Sequence, residues 1–437
     1  MSNISFKSLT QLSLAATALV ATLCVTSAHS QSFKVGIVAF TSGPAAESQG
    51  IPTWQAAQMT AKELNAGALP KPYGAPGLGG IPLELQLIDE SGSTTKQIQE
   101  LRNGYERDGF DAVIGYTSSS NCLAAAPVAE EMKKLLILFT CGTPRIFEEG
   151  KYNYVFRPTA HATMDNVALA FYVRDRKINI SEISAINPDY AYGRDNWKDF
   201  SQSMLKIDPS MKIKAELWPK LGAGQYGTEI SSMMQGNPPA YYSVLWGGDL
   251  QAFLLQAVPR GLLKDGRHII VPEAEHIMQA IGNRMPDNVI TGARGELGPF
   301  APKSVLNDWM VEAMKKHVPD SVLQGNHYRM VQAILGLKAA FEKAMAANGG
   351  KRPSTEQIAM AFTGLEWDSP GGVIKMALGD GHQAIQSAAV GMTRMNSATK
   401  TVEFVEIQRF AAECVNPPPG IKAEQWIAQG FPGAKCE

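Results

Sequence analysis

Short apolar runs alternate with longer segments of helical length along the first part of the chain. The apolar runs cover residues 33–40, 83–90, 110–115 and 135–140, and the helical segments cover 52–67, 94–109 and 121–134. Continuous apolar strands separated by helices of this length are typical of a parallel sheet with right-handed crossovers. The pattern therefore predicts a doubly wound α/β unit.

The same alternation restarts further along the chain. Residues 180–187, 211–218, 240–246 and 266–273 have the pattern of strands, with helical segments such as 193–206 and 249–261 between them. Two such units predict two doubly wound, Rossmann-like lobes with a cleft between them, and ligands of such sheets bind beyond the carboxyl ends of the strands. We expect three crossings of the chain between the lobes. The expected lobes are 33–158 plus 294–365, and 159–293 plus 366–413.

Residues 1–30 have the pattern of a signal peptide. They carry one cation, Lys7, followed by an apolar stretch and by the small residues Ala28 and Ser30. The apolar stretch is shorter than the ~20 residues that span a bilayer. Cleavage after Ser30 is therefore favoured over a membrane anchor, and we expect export to the periplasm.

The charge balance narrows the class of partner. The chain carries 40 Lys+Arg against 41 Asp+Glu, a formal net charge of −1. Nucleic acids and anionic membranes select basic surfaces, so this balance argues against both as partners.

Four cysteines follow the predicted cleavage site, and in an exported protein an even number indicates disulfides. Three connectivities are possible. Cys414 and Cys436 bracket a tail, residues 414–437, that is rich in proline and glycine and packs poorly unaided. We expect these two to pair, with Cys122–Cys141 as the second bridge.

Signatures of catalysis are missing from the sequence. It contains no Gly-x-Ser-x-Gly elbow, no His-Glu-x-x-His and no Walker A motif. Glu273 and His276 have Glu-x-x-His spacing, but a single pair without further carboxylates is more often a solvated turn than a metal site. The glycines of 74–80 follow no strand, unlike those of a dinucleotide-binding loop. We expect no enzymatic activity, no cofactor and no metal.

Two hydroxyl-bearing loops follow neighbouring predicted strands. "TSSSN" (117–121) comes after 110–115, and "TCGT" (140–143) comes after 135–140. Asn121 or Ser120 is expected to cap the helix 121–134, whose first N–H groups attract an anion. Ordinary capping with exposed serines explains the first loop equally well, but the second loop favours a shared carboxylate-binding site.

The sequence resembles periplasmic solute-binding proteins of the branched-chain amino acid type, fold type I. The segments "KVGIVAFTSGPAAESQG", "YTSSSNCLAAAPVAEEMK", "LFTCGTPRIFEEGKYNYVFRP" and "DYAYGRD" stand in the order expected of that family. The resemblance covers the mature chain to about residue 410 and lies in order and length rather than in one signature. It implies a two-lobe, venus-flytrap protein that binds a small molecule and delivers it to ABC permease and ATPase subunits.

The resemblance also implies roles for individual residues. Hydroxyl and backbone N–H groups of three serines hold the ligand carboxylate in this interpretation, and the next loop contacts its carboxylate and ammonium. An aromatic wall and an acid that pairs with an α-ammonium come from the second lobe. The residues concerned are Ser118, Ser119, Ser120, Cys141, Gly142, Thr143, Tyr192, Trp246 and Glu273.

Departures from the family pattern leave the ligand open. A cysteine stands in "TCGT", and residues 66–82 form a longer link than usual. The favoured ligand is a branched-chain or other hydrophobic amino acid. Aromatic acids or amides are the alternative, since the aromatic residues near the cleft suit an aromatic carboxylate. A periplasmic sensory module that signals to a receptor is a further alternative.

Overall fold

A computed structural model describes residues 32–436 of the chain, with the exception of the side chain of Gln279. The predicted signal peptide lies outside the described residues. Within 32–436, no helix combines the length and the hydrophobicity that crossing a bilayer requires.

The first sheet is parallel throughout and has the strand order β2-β1-β3-β4-β5. Strands β1, β3, β4 and β5 are short, apolar and almost fully buried, as expected of parallel sheets with helices on both faces, whereas the edge strand β2 is partly exposed. The strands are β1 (Phe33–Ala39), β2 (Leu83–Asp89), β3 (Ala112–Gly115), β4 (Leu135–Leu138) and β5 (Val155–Phe156). The strands predicted in this part of the chain are thereby confirmed.

The second sheet has seven strands in the order β15-β14-β10-β9-β8-β6-β7. Five strands are parallel, and β14 and β15 add an antiparallel edge. Strands β6 to β10 are Glu182–Ile186, Lys212–Leu217, Ala240–Ser243, His268–Glu273 and Val289–Gly292, and the edge strands are β14 (Ala388–Asn396) and β15 (Thr401–Phe410). The expected pair of doubly wound lobes is therefore present.

The helices alternate with the strands along most of the chain. In chain order they are α1 (Ile51–Asn65), α2 (Thr94–Glu106), α3 (Ser119–Met132), α4 (Arg145–Glu149), α5 (Ala162–Asp175), α6 (Ala191–Ile207), α7 (Gly227–Met233), α8 (Gly247–Ala257), α9 (Met278–Ile281), α10 (Val305–His317), α11 (Gly325–Ala347), α12 (Thr355–Phe362), α13 (Ala412–Val415) and α14 (Ala423–Ala428). Helix α11 is the long central helix of the first lobe and is buried along most of its length.

A small antiparallel sheet follows α12, and it bears on the lobe boundaries. Its strands are β11 (Glu366–Ser369), β12 (Gly372–Leu378) and β13 (Gln383–Ile385). Trp367 and Ile374 are buried in the hydrophobic core that α11 shares with the first sheet, and the indole of Trp367 donates to the carbonyl of Gln332 at 3.2 Å. The third crossing was expected within 365–372. We propose instead that it follows this small sheet, near Gln386.

The two predicted disulfides are present. Cys122 bonds to Cys141 and ties α3 to the loop after β4, while Cys414 bonds to Cys436 and closes the C-terminal tail. The tail packs better than its composition suggests. Its Trp426 is fully buried in the core of the second lobe and contacts Phe431, with ring centroids 5.2 Å apart.

Candidate functional site

A small cavity of about 20 Å³ lies between the lobes, where the carboxyl ends of both sheets meet. The first lobe contributes loops that follow β1, β3 and β4. The second lobe contributes the last residue of β9 and residues that follow β6, β8 and β10. This is the position at which ligands of doubly wound sheets bind. Of the predicted site residues, Gly142, Tyr192, Trp246 and Glu273 line this cavity.

The lobes contact each other on both sides of the cavity. The hydroxyl of Thr143 donates to the carboxylate of Asp195 in α6 at 2.5 Å. Across the cleft mouth, the backbone N–H of Gly248 donates to the carbonyl of Pro44 at 3.1 Å. The lobes are therefore in a closed arrangement around a small enclosed space.

Arg294 supplies the positive charge of the cavity and was not identified from the sequence. Its guanidinium donates to Asp165 at 2.9 Å, to the hydroxyl of Tyr192 at 2.8 Å and to the carbonyl of Thr140. Its backbone φ is +55°, a conformation that non-glycine residues seldom adopt. Because Arg294 donates to Thr140, in the loop after β4, and to Tyr192 of α6, its side chain joins both lobes.

Glu273, the last residue of β9, lies between two guanidinium groups. Arg329 of α11 donates to one carboxylate oxygen, and Arg294 lies 3.4 Å from the other. Burial opposes ionisation of Glu273, but these two charges outweigh it and lower its pKa to about 2. A ligand ammonium, the partner expected for Glu273, would compete with both arginines.

Two further buried acids carry less negative charge than their number suggests. Burial raises the pKa of Asp165 to about 7, although the charge of Arg294 opposes the shift. Burial together with the neighbouring charge of Glu273 raises the pKa of Glu275 to about 8. Burial thus works against the negative charge of Asp165 and Glu275, whereas the two arginines keep Glu273 ionised. The two guanidinium groups are therefore incompletely balanced, which suits an anionic ligand.

The N-terminus of α3 is arranged differently from the prediction. Helix α3 begins at Ser119 and its N-cap is Ser118, so capping by Asn121 or Ser120 was wrong. The carboxylate of Glu90, which follows β2, accepts the backbone N–H groups of Thr117 and Ser118 and the amide of Asn121. The internal carboxylate therefore occupies the N–H group of Ser118, one of those that were expected to hold the ligand. An acid at the end of a predicted strand was the signal for it.

The three serines lie outside the described lining of the cavity. Ser118 is the N-cap, and Ser119 is buried with its hydroxyl accepting the backbone N–H of Thr143 at 3.3 Å. Ser120 is half-buried on the first turn of α3. Thr117, their neighbour in the same loop, lines the cavity instead. The proposed carboxylate contact of the serines stays a prediction.

The loop after β4 reaches the cavity through its glycine. Cys141 is buried, its sulfur is bonded to Cys122, and its carbonyl accepts from Arg157 at 2.9 Å. Any ligand contact of Cys141 would therefore come from its backbone. A Cβ atom at Gly142 would lie 2.5 Å from a ring carbon of Tyr192. The close approach of the lobes at this point requires glycine.

Aromatic rings form one wall of the cavity. Tyr190, Tyr192 and Trp246 all line it, and the indole of Trp246 donates to the hydroxyl of Tyr190 at 3.0 Å. The rings of Tyr190 and Tyr192 lie 6.1 Å apart, and Phe40 of the first lobe lies 6.2 Å from Trp246. Tyr190 was not identified from the sequence, although it stands two residues before the predicted Tyr192.

The cluster of Glu273, Glu275 and His276 has the composition of a metal site but not the chemistry. Nε2 of His276 accepts the backbone N–H of Gly247 at 2.9 Å. Burial lowers the pKa of His276 to about 4, so the ring is neutral and its proton lies on Nδ1. Neither nitrogen offers a lone pair, and Glu273 is already ion-paired. These residues do not fit a metal ion.

Comparison with known proteins agrees with this architecture. A family model described as periplasmic binding protein matches residues 32–399. A search of curated protein sequences gave no match.

Solved structures share the fold at low sequence identity. A solute-binding protein of an ABC transporter from Rhodopseudomonas palustris BisB5, in complex with 3,4-dihydroxybenzoic acid, is 20% identical, with a TM-score of 0.72, covering 87% of this chain and 98% of its own. A second R. palustris solute-binding protein, in complex with benzoate, is 15% identical, with a TM-score of 0.75, covering 90% and 99%. The leucine-binding protein of Thermotoga maritima MSB8 is 18% identical, with a TM-score of 0.71, covering 86% and 98%.

The family match spans nearly all of the described chain, and the two doubly wound lobes enclose a cavity where such proteins hold their ligands. This chain belongs to the periplasmic binding protein family.

Proposed function

We propose that the protein is the solute-binding component of an ABC uptake transporter. It acts in the periplasm after removal of residues 1–30, binds a small carboxylate between its lobes and delivers it to permease and ATPase subunits. Family membership supports this proposal, as does the resemblance in fold to proteins described as solute-binding components of ABC transporters. Ligand contacts with both lobes would favour the closed state, which the permease recognises.

The ligand that the site supports best is an aromatic carboxylate without an ammonium group. The observation that carries this choice is the ion pair of Glu273 with Arg329 and Arg294. An acid neutralised by two arginines has little charge left for an α-ammonium, whereas the positive cluster attracts a carboxylate. The rings of Tyr190, Tyr192 and Trp246 offer faces for an aromatic ring.

The size of the site sets a limit on the ligand. At about 20 Å³, the closed cavity is far below the usual range of ligand pockets, ~300–1,000 Å³. A second cavity of about 280 Å³ opens at the cleft mouth and shares Trp246 with the first. An aromatic ring therefore requires the lobes to separate further than in this closed arrangement, or it extends into the outer cavity past Trp246.

A hydrophobic amino acid is the second candidate. It is favoured by the resemblance in fold to the T. maritima leucine-binding protein. Glu273 stands at the end of β9, where the family resemblance implies an acid that pairs with the ammonium. An amino acid would have to draw Glu273 away from at least one arginine.

Matched ligands separate the two candidates. Phenylalanine and 3-phenylpropionate differ only by the α-ammonium, and leucine and benzoate complete the set. We expect thermal-shift and calorimetric titrations of the purified protein to show binding of benzoate and 3-phenylpropionate, with no chemical change in either, because a ligand of the folded state stabilises by mass action. Tight binding of leucine or phenylalanine alone would overturn the aromatic-acid assignment. Conversion of any ligand to product would overturn a pure binding role.

A further inference from the structure

A third cavity, of about 260 Å³, lies behind the loop that follows β4, away from the cleft. Its walls come from α4, from the chain between β12 and β13, and from the tail that the Cys414–Cys436 bridge closes. Arg157, the first residue after β5, lies at its base together with His161. This cavity shares none of the residues described for the lining of the cleft cavity.

Arg157 is fully buried, and no carboxylate within 32–436 forms an ion pair with it at close range. Its Nε donates to Gln383, and its Nη1 donates to the carbonyls of Cys141 and Thr143 at 2.9 and 2.6 Å. Its Nη2 has no hydrogen-bond partner among the described residues. The charges of Glu148 and Asp165 act on this guanidinium, but neither carboxylate is hydrogen-bonded to it. A buried charge in this state is costly unless an anion joins it.

The other polar groups around the cavity favour an anion. Nδ1 of His161 accepts the N–H of Thr163 at 3.3 Å, and burial keeps the ring neutral by holding its pKa well below the ordinary value. The proton of His161 therefore lies on Nε2, which is a second donor. Lys151 and Lys422 also line the cavity and bring positive charge to it.

The acids that line the same cavity already have partners. The carboxylate of Glu148 accepts the backbone N–H of Ala423 at 2.8 Å. Asp380 forms an ion pair with Lys151 at 3.3 Å. Neither replaces the missing partner of Arg157, so donors without acceptors dominate the base of the cavity.

We propose that this cavity is a second binding site, which takes a small oxyanion on Nη2 of Arg157. The site lies directly behind the loop whose Gly142 lines the cleft, because Arg157 holds the carbonyls on either side of that glycine. The oxyanion completes the hydrogen bonds of the guanidinium, and the lysines draw it in from solvent.

The test uses inorganic phosphate as the probe, titrated calorimetrically into the purified protein at constant ionic strength. Lys422→Glu brings a negative charge to the cavity without touching its buried base, and we expect it to weaken phosphate binding by at least about tenfold. Lys435→Glu is the matched control, since it reverses a lysine of the same tail that is exposed and outside the cavity lining. Its affinity should equal that of the wild type.

Trp246→Ala distinguishes this site from the cleft, because it alters only the cavities between the lobes. We expect it to bind phosphate as the wild type does. The proposal is wrong if the wild type binds no phosphate at millimolar concentration or if Lys422→Glu binds it unchanged. It is equally wrong if Trp246→Ala, rather than Lys422→Glu, abolishes binding. None of these outcomes depends on which solute the cleft binds.

Discussion

The carboxylate of Glu90 accepts the backbone N–H of Ser118, the N-cap of α3, at 2.8 Å. Burial raises the pKa of Glu90 from its ordinary 4.5 to about 7, although these hydrogen bonds oppose the shift. Between those two values the folded protein binds more protons than the unfolded chain. Stability contributed by Glu90 is therefore present at low pH and falls as pH rises from about 4.5 to about 7.

Glu90→Gln should remove this pH dependence, because the amide keeps an acceptor for the N–H groups but does not ionise. We expect the free energy of unfolding of the variant minus that of the wild type to be about 1–3 kcal/mol larger at pH 8 than at pH 5. Urea denaturation at both pH values measures it. Glu106→Gln, an exposed position at the end of α2, is the control and should show no such trend. If the difference in stability between Glu90→Gln and the wild type were the same at both pH values, the proposed contribution of Glu90 would be wrong.

The ion pair of Glu273 with Arg329 should couple strongly in a double-mutant cycle. Arg329→Met leaves Glu273 short of a partner in the interior, and we expect it to lose about 3–5 kcal/mol of stability. Adding Glu273→Gln should restore part of that loss, with a coupling of about 1–3 kcal/mol. Urea denaturation of the four proteins gives the coupling, and simple additivity would show that the pair does not act as a unit.

Glu273→Gln also tests the ligand. For an aromatic acid, the variant should bind as tightly as the wild type or more tightly, because a negative charge near the carboxylate is removed. For an amino acid it should bind about tenfold more weakly or worse, because the ammonium loses its partner. Calorimetric titration with 3-phenylpropionate and phenylalanine separates the outcomes. Loss of 3-phenylpropionate binding would argue against the proposed role of the positive cluster.

Removal of the Trp246 ring should weaken ligand binding, because this side chain lines both cavities of the cleft. We expect Trp246→Ala to lower benzoate affinity by about tenfold or more, in line with the loss of an aromatic anchor. Trp218→Ala is the matched control. That tryptophan stacks on Arg194, with 3.6 Å between the guanidinium carbon and the ring centroid, and lies outside the lining of both cavities. Equal losses in both variants would indicate a general loss of stability.

The bridge between Cys414 and Cys436 should hold the tail on the second lobe. It closes a loop of 22 residues that includes the buried Trp426. Changing both cysteines to alanine should lower stability by about 2–4 kcal/mol and expose Trp426. Tryptophan fluorescence and thermal unfolding report the two effects. Retention of full stability by the double variant would show that packing alone holds the tail.

The sequence predicted the larger features because they follow from local patterns. Apolar runs such as 33–40 and 240–246 are strands wherever a parallel sheet buries both faces. Cys414 and Cys436 were paired from the composition of the segment between them. The sequence did not predict contacts between residues that lie far apart in the chain. Glu90 contacts the start of α3, and Arg329 contacts Glu273, only because the fold brings them together. Local spacing in the sequence gives no sign of such contacts.

Capping of α3 shows the same limit on a smaller scale. Every residue from Ser118 to Asn121 is a good N-cap by type. The choice among them depended on Glu90, which draws Asn121 into the helix by accepting its amide. Tyr190 and Arg294 were missed for a similar reason, since no sequence pattern marks a tyrosine or an arginine in a loop as part of a ligand-binding cavity.

The lack of a side chain at Gly142 allows the lobes to approach each other closely. Its backbone passes so close to the ring of Tyr192 that one added methyl group would press on the ring and on the guanidinium of Arg294. Gly142→Ala would hold the lobes apart beside the contact of Thr143 with Asp195. The lobes would then remain partly open, and X-ray scattering would show a larger radius of gyration. Each ligand would bind more weakly, because part of its binding free energy would be used to close the lobes.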